Sequence, residues 1–166
     1  MEVFVMKRHL EFLDKFSDKF LQSDFGKGTL LSGVVLGFIA YNQAKGEKDE
    51  SGYSNAKIQD SPLYKQLNFG RLSLRDIKKH LARIPELIKA YKIEPSFLIE
   101  DLAGYSQELL MNSKGKDLGV DGNFAFVTGF MNWRNYFWEI YKDYTKEKEV
   151  AELEIEKTDK GEDQDV

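Results

Sequence analysis

Apolar residues recur at steps of three and four along most of the chain, the period of a helix rather than the alternation of a strand. In VFVMKRHLEFLDKFSDKFL they fall at Val3, Met6, Leu10, Leu13, Phe16 and Phe20, which predicts a helix over about residues 3–20. A second helix is expected from Thr29 to about Gln43, in TLLSGVVLGFIAYNQ, with Gly26 and Gly28 as breakers ahead of it. Gly33, Gly37 and Tyr41 are spaced by four and share one stripe, where missing side chains let another helix lie close.

A polar stretch, residues 44–60, reads as a long loop that is mobile or used for contact. Ser73 then opens a third helix as its N-cap, with Asp76 three residues on in a capping-box-like arrangement. Leu74, Ile77, Leu81, Ile84 and Ile88 form its apolar face. Pro85 should kink or split it, because proline has no backbone donor. Pro95 suits the first position of a helix over SFLIEDLAGYSQELLM. A last helix is expected from about Asn123, carrying Phe124, Phe126, Val127, Phe130, Met131, Trp133, Trp138 and Ile140. These segments predict an all-α protein, a single bundle of about five or six helices over residues 1–150. The charged, apolar-poor residues 151–166 are expected to form an acidic disordered tail.

The totals remove several function classes. A chain of 166 residues favours one domain, and the absence of cysteine excludes disulfides, thiolate zinc sites and a cysteine nucleophile. The uncharged run between Lys27 and Lys45 falls short of the ~20 residues that span a membrane. The GKGT at residues 26–29 is no phosphate loop: that pattern needs a glycine five residues before Gly26, where Leu21 stands. The N-terminus lacks the charge order of a signal peptide, so a cytoplasmic protein with no membrane partner is expected.

Charge is unevenly placed. The net charge is −4, yet residues 57–92 hold nine Lys/Arg against three Asp/Glu, a local +6. From Asp143 onward ten acids face four lysines, a local −6. At 100° per residue, Arg75, Lys78, Lys79 and Arg83 span about 140° of the third helix, opposite its apolar stripe. Lys65 and Arg71 are close in sequence. Such a face suits a phosphate backbone, whose binding releases condensed counterions; a merely solvated helix face is the competing reading. The last helix holds more aromatics than one core stripe needs, so Trp133, Tyr136 or Tyr141 is expected at a surface, where aromatics beside Arg134 could stack on bases. Core or subunit-interface packing competes there.

Catalysis has little support. No HExxH, paired ExxH, GxSxG or DxDxDG motif occurs, and Glu100 and Asp101 point about 100° apart on a helix. His9 and His80 have no evident partner. No catalytic residue, metal site or cofactor is expected.

The order LLSGVVLGFIAYNQ, SPLYKQLNFGRLSLRDIKKHLARIPELIKAY and NFAFVTGFMNWRNYF resembles the C-terminal helical domain of the large subunit of type I-B CRISPR Cascade complexes, a segment also made separately as the small subunit. The resemblance lies in the glycine-containing helix ending YNQ, the SP-x-x-K-x-L turn, the basic helix through LARIPE and the F-x-F-x-x-G helix, over about Leu30 to Tyr141. It implies a non-catalytic helical bundle that packs against the large subunit, backbone subunits and copies of itself. It also implies sequence-independent support of the guide RNA–target DNA duplex or the displaced DNA strand. On that reading Lys65, Arg71, Arg75, Lys78, Lys79, Arg83 and Arg134 contact nucleic acid. Two rival classes remain: a helical protein–protein interaction module without nucleic acid, and a small helical enzyme binding metal or substrate. Gel shifts at varied salt separate the first from the Cascade reading, and metal analysis addresses the second.

Overall fold

The computed structural model describes residues 10–45, 57–111 and 117–162. Among them there are helices and turns and no strand: α1 (Lys19–Gln22), α2 (Asp24–Lys45), α3 (Pro62–Gln66), α4 (Leu74–Ala82), α5 (Ile84–Tyr91), α6 (Ser96–Leu110), α7 (Gly119–Met131) and α8 (Trp133–Glu162). The expected all-α bundle is what forms.

Its axis is α2, which is apolar on every side because helices surround it, α7 and α6 most closely. Leu30, Leu31, Val34, Val35, Leu36 and Ile39 are all buried. The two glycines of the expected stripe sit where α7 crosses. A β-carbon on Gly33 would collide with the Phe126 carbonyl oxygen, and one on Gly37 would lie 2.5 Å from the Phe130 carbonyl oxygen. The facing helix answers with Gly129, where a β-carbon would collide with the Leu30 carbonyl oxygen. Backbone thus meets backbone from both sides. Buried hydroxyls on α2 are satisfied within the helix: Ser32 donates to the Gly28 carbonyl at 2.6 Å and Thr29 to that of Phe25 at 2.7 Å.

The helix boundaries differ from expectation in several places. Gly26 and Gly28 do not break α2 but lie buried inside it, Gly26 against the Phe20 carbonyl and Gly28 against Leu109 and Leu110. Close packing outweighs their poor helix propensity. The helix expected over 3–20 is interrupted in its described part: Glu11–Lys15 is a 3-10 turn, Phe16 is extended, and Asp18 caps α1 by accepting from Phe20 N at 2.8 Å. Residues 1–9 lie outside the described residues. The stretch 44–60 is entered by α2, which runs to Lys45, and ends in a 3-10 turn at Ile58–Asp60; residues 46–56 lie outside the described residues. The single last helix is two, parted at Asn132, whose side-chain amide N–H donates to the Thr128 carbonyl at 2.9 Å while its backbone leaves helical geometry.

The third helix is split as proline requires. Arg83 ends α4 and starts α5, and Pro85 occupies the first turn of α5, where its missing N–H would have had no partner. Pro95 stands one place earlier than expected, as the N-cap of α6. Gln43 joins the end of α2 to α3 by accepting from Leu63 N at 2.9 Å. Beyond the bundle, α8 is helical to Glu162, and Ala151–Lys157 are exposed throughout.

Candidate nucleic-acid interface

The basic surface is built on α4. Ser73 fixes where that helix begins, its hydroxyl accepting from Asp76 N at 3.1 Å. Ile77 and Leu81 turn into the core, so Arg75, Lys79 and Arg83 are left exposed on the other side. Lys65, in the last turn of α3, and Arg71, in the turn leading to α4, are also exposed. None of these five cations has an acidic partner among the described residues.

Lys78 is placed differently. It is half-buried and lines a groove with Gly104, Gln107 and Glu108 of α6. Its position explains this: it sits about 60° from Arg75 on the side next to Leu74, at the edge of the arc. On the other edge lies His80, which is 8% exposed. Its Nδ1 has no hydrogen-bond partner among the described residues. Burial pushes its pKa down, Arg83 and Lys79 push the same way, and Asp76 opposes them. The imidazole is thus neutral at pH 7, and the charge of this face comes from lysine and arginine.

Arg134 is not beside α4. It stands in the first turn of α8, exposed, with its guanidinium 5.2 Å above the Tyr41 ring and 5.5 Å from the Trp133 ring. A groove of about 670 Å³ opens there between the end of α2, the Glu94–Pro95 turn and α8, and no residue of α3 or α4 lines it. Of the aromatics expected at a surface, Trp133 is buried, while Tyr136 and Tyr141 are half-buried. Tyr136 packs on Phe12 and Phe16. On α8 it is Trp138 that reaches solvent, at 56% exposure. Its spacing gave the signal: Trp133, Phe137 and Ile140 make the buried i, i+4, i+7 stripe, and Trp138 falls off it.

A second exposed surface is apolar. On the outer side of α7, Val120 and Phe124 are 86% and 73% exposed, and Met131 continues the line. No group of three His, Asp or Glu among the described residues could hold a metal. No helix among them is long and apolar enough to cross a membrane.

Fold and surface together define a class: a helical-bundle domain with an exposed cationic helix and an aromatic groove elsewhere on its surface. The chain belongs to the family of CRISPR-associated protein TM1802 C-terminal domains, which matches residues 1–144. That is the small-subunit-like helical domain of a large subunit, the group its helix order resembles. No curated protein and no solved structure matches the chain.

Proposed function

We propose that this protein is a non-catalytic small subunit of a CRISPR Cascade surveillance complex, holding the guide RNA–target DNA duplex or the displaced DNA strand by sequence-independent contacts to the backbone. One observation carries the reading: in a TM1802-type domain, Arg75, Lys79 and Arg83 are exposed on one side of a short helix, Lys65 and Arg71 are exposed on the segments leading to it, and none of the five is paired to an acid among the described residues. Cations without an internal partner are free to replace the counterions of a phosphate chain. Lys78 adds its charge at the rim of the α6 groove. The exposed apolar line of Val120, Phe124 and Met131 supports contact with other subunits, the large subunit, backbone subunits or further copies of this chain, since such surfaces mark interaction sites. Action in the cytoplasm belongs to the same reading.

The apolar line also favours a second reading, an interaction module that touches no nucleic acid. Binding at varied salt decides between them. If about four phosphates on a single strand are engaged, log K falls against log salt with a slope near −3, at ~0.7 per phosphate. Replacing Arg75, Lys79 and Arg83 together by Glu should weaken binding equally for unrelated sequences and flatten the slope, with the fold retained. If the folded triple variant holds DNA as tightly as the parent, α4 is a solvated face and the protein is a spacer between subunits.

A further inference from the structure

We infer that the groove between the end of α2 and the start of α8 is a stacking slot for a nucleobase of single-stranded nucleic acid. It is separate from the phosphate-tracking face on α4. The inference rests on the nucleic-acid reading above and names a different kind of contact. Three features of the groove point to a flat, electron-rich ligand attached to an anion.

The first is a set of rings held in place. Tyr141 lies stacked on Phe137 at 5.9 Å, and Trp138 meets both edge-on, at 5.6 Å to Tyr141 and 6.2 Å to Phe137. No ring is stacked on Trp138 among the described residues, although more than half of it is exposed. A tryptophan left this open while its neighbours Trp133 and Phe137 are buried has apolar area to cover. The second is Arg134. Its guanidinium is already held over Tyr41 and Trp133, so a second planar group can stack on an oriented cation. The third is the polar rim. Lys45 lines the groove near its lip, and the side-chain amide N–H of Asn42 is committed to the Phe38 carbonyl at 2.9 Å, which leaves its oxygen as an acceptor.

This set discriminates among ligands. A cationic ligand, such as a lysine tail, would meet the charges of Arg134 and Lys45, with Glu94 the one acid opposing them among the described lining residues. An aliphatic chain would cover the rings and leave the rim unused. A base with its phosphodiester uses all three features, because every base has a π-face and every link a negative charge. Sequence tolerance follows for the same reason. The α4 face and this slot thus divide the work, one following phosphates and the other gripping a splayed base.

The test compares two fluorescent single strands of equal length, one with bases and one abasic, at low salt. Both present the same phosphates, so only a base slot separates them. The parent should bind the intact strand roughly tenfold more tightly, within the range for one base on an aromatic ring. Trp138→Ala should bring that ratio to about one, and Trp138→Phe should keep most of it. The variant of Arg75, Lys79 and Arg83 should weaken both strands alike and leave the ratio unchanged. An abasic strand bound as tightly as the intact one, or a ratio unmoved by Trp138→Ala, overturns the slot while the α4 reading stands. A persistent ratio with no effect of the charge variant overturns α4 and leaves the slot. If the parent binds neither strand, both fall.

Discussion

Replacing Gly33 by alanine and Gly104 by alanine should change stability in opposite directions, although the substitution is identical and both sites are inside helices. In isolation alanine is the better helix former, by about 0.8–1.0 kcal/mol. At Gly104 on α6 nothing lies within 4 Å of the added carbon, so that gain should be realised. At Gly33 the new carbon meets the Phe126 carbonyl and stands 2.9 Å from Phe130 N. Both obstacles are backbone, so no rotamer change relieves them. Helix α7 must move away, and overpacking of this kind costs about 1–3 kcal/mol, with a backbone collision at the upper end. Subtracting the propensity gain leaves Gly33→Ala destabilised by about 2 kcal/mol.

For a chain of this length 1 kcal/mol moves Tm by about 2–4 °C. Gly33→Ala should therefore melt about 4–8 °C below the parent, and Gly104→Ala about 2–4 °C above it. Circular dichroism melts at fixed pH and scan rate read both, and a urea series checks that the slope with denaturant is unchanged. Gly37→Leu, which drives a larger side chain toward the Phe130 carbonyl and Trp133, should lose at least as much as Gly33→Ala. If Gly33→Ala melts at or above the parent temperature, the α2–α7 crossing is not held at backbone contact and the account of the core is wrong.

Two further outcomes follow from residues at the edges of the bundle. Because folding holds His80 below its ordinary value near 6.5, the unfolded chain takes up the proton first as pH falls. Stability should be fully present above about pH 6.5 and lost as pH drops through the folded value, a slope that His80→Met should flatten in urea titrations between about pH 7 and 5; an equal slope in the variant refutes the assignment. Removing residues 151–166 should leave Tm almost unchanged, since Ala151–Lys157 are exposed and bury nothing. A loss of several degrees would show that this segment docks.

What could be read from the chain beforehand was local. The glycine stripe, the Ser73 cap and the Pro85 break each depend on residues within one or two turns, and each stands where periodicity placed it. What could not be read depends on contacts and caps that periodicity does not encode. Gly26 and Gly28 look like breakers until Phe20 and Leu110 press on them. The first helix keeps its three-and-four spacing across Phe16–Asp18, yet the backbone leaves it there because Asp18 offers α1 a better start. Spacing puts Arg134 beside the aromatics of the last helix, but only the fold sets it on Tyr41, ninety-three positions earlier in the chain. The 140° arc places Lys78 at its edge, but spacing alone does not show that α6 lies against that edge.

The same distinction bears on how a strand would meet this surface. Residues 57–92 and the segment from Asp143 carry equal and opposite charge, so the net −4 describes neither. The family match ends at residue 144, just where the acidic segment begins, so the basic helix lies within what the family shares and the acidic run lies almost entirely outside it. At ~0.1 M salt the reach of either field is about 10 Å. A phosphate chain therefore responds to whichever segment it is near and not to the average. On the proposed reading, approach along α4 is attractive and approach along the acidic run is repulsive, which would orient the encounter before any contact forms. The overall acidity of the protein is then no argument against nucleic acid. On the proposed reading it restricts the side from which a strand can approach.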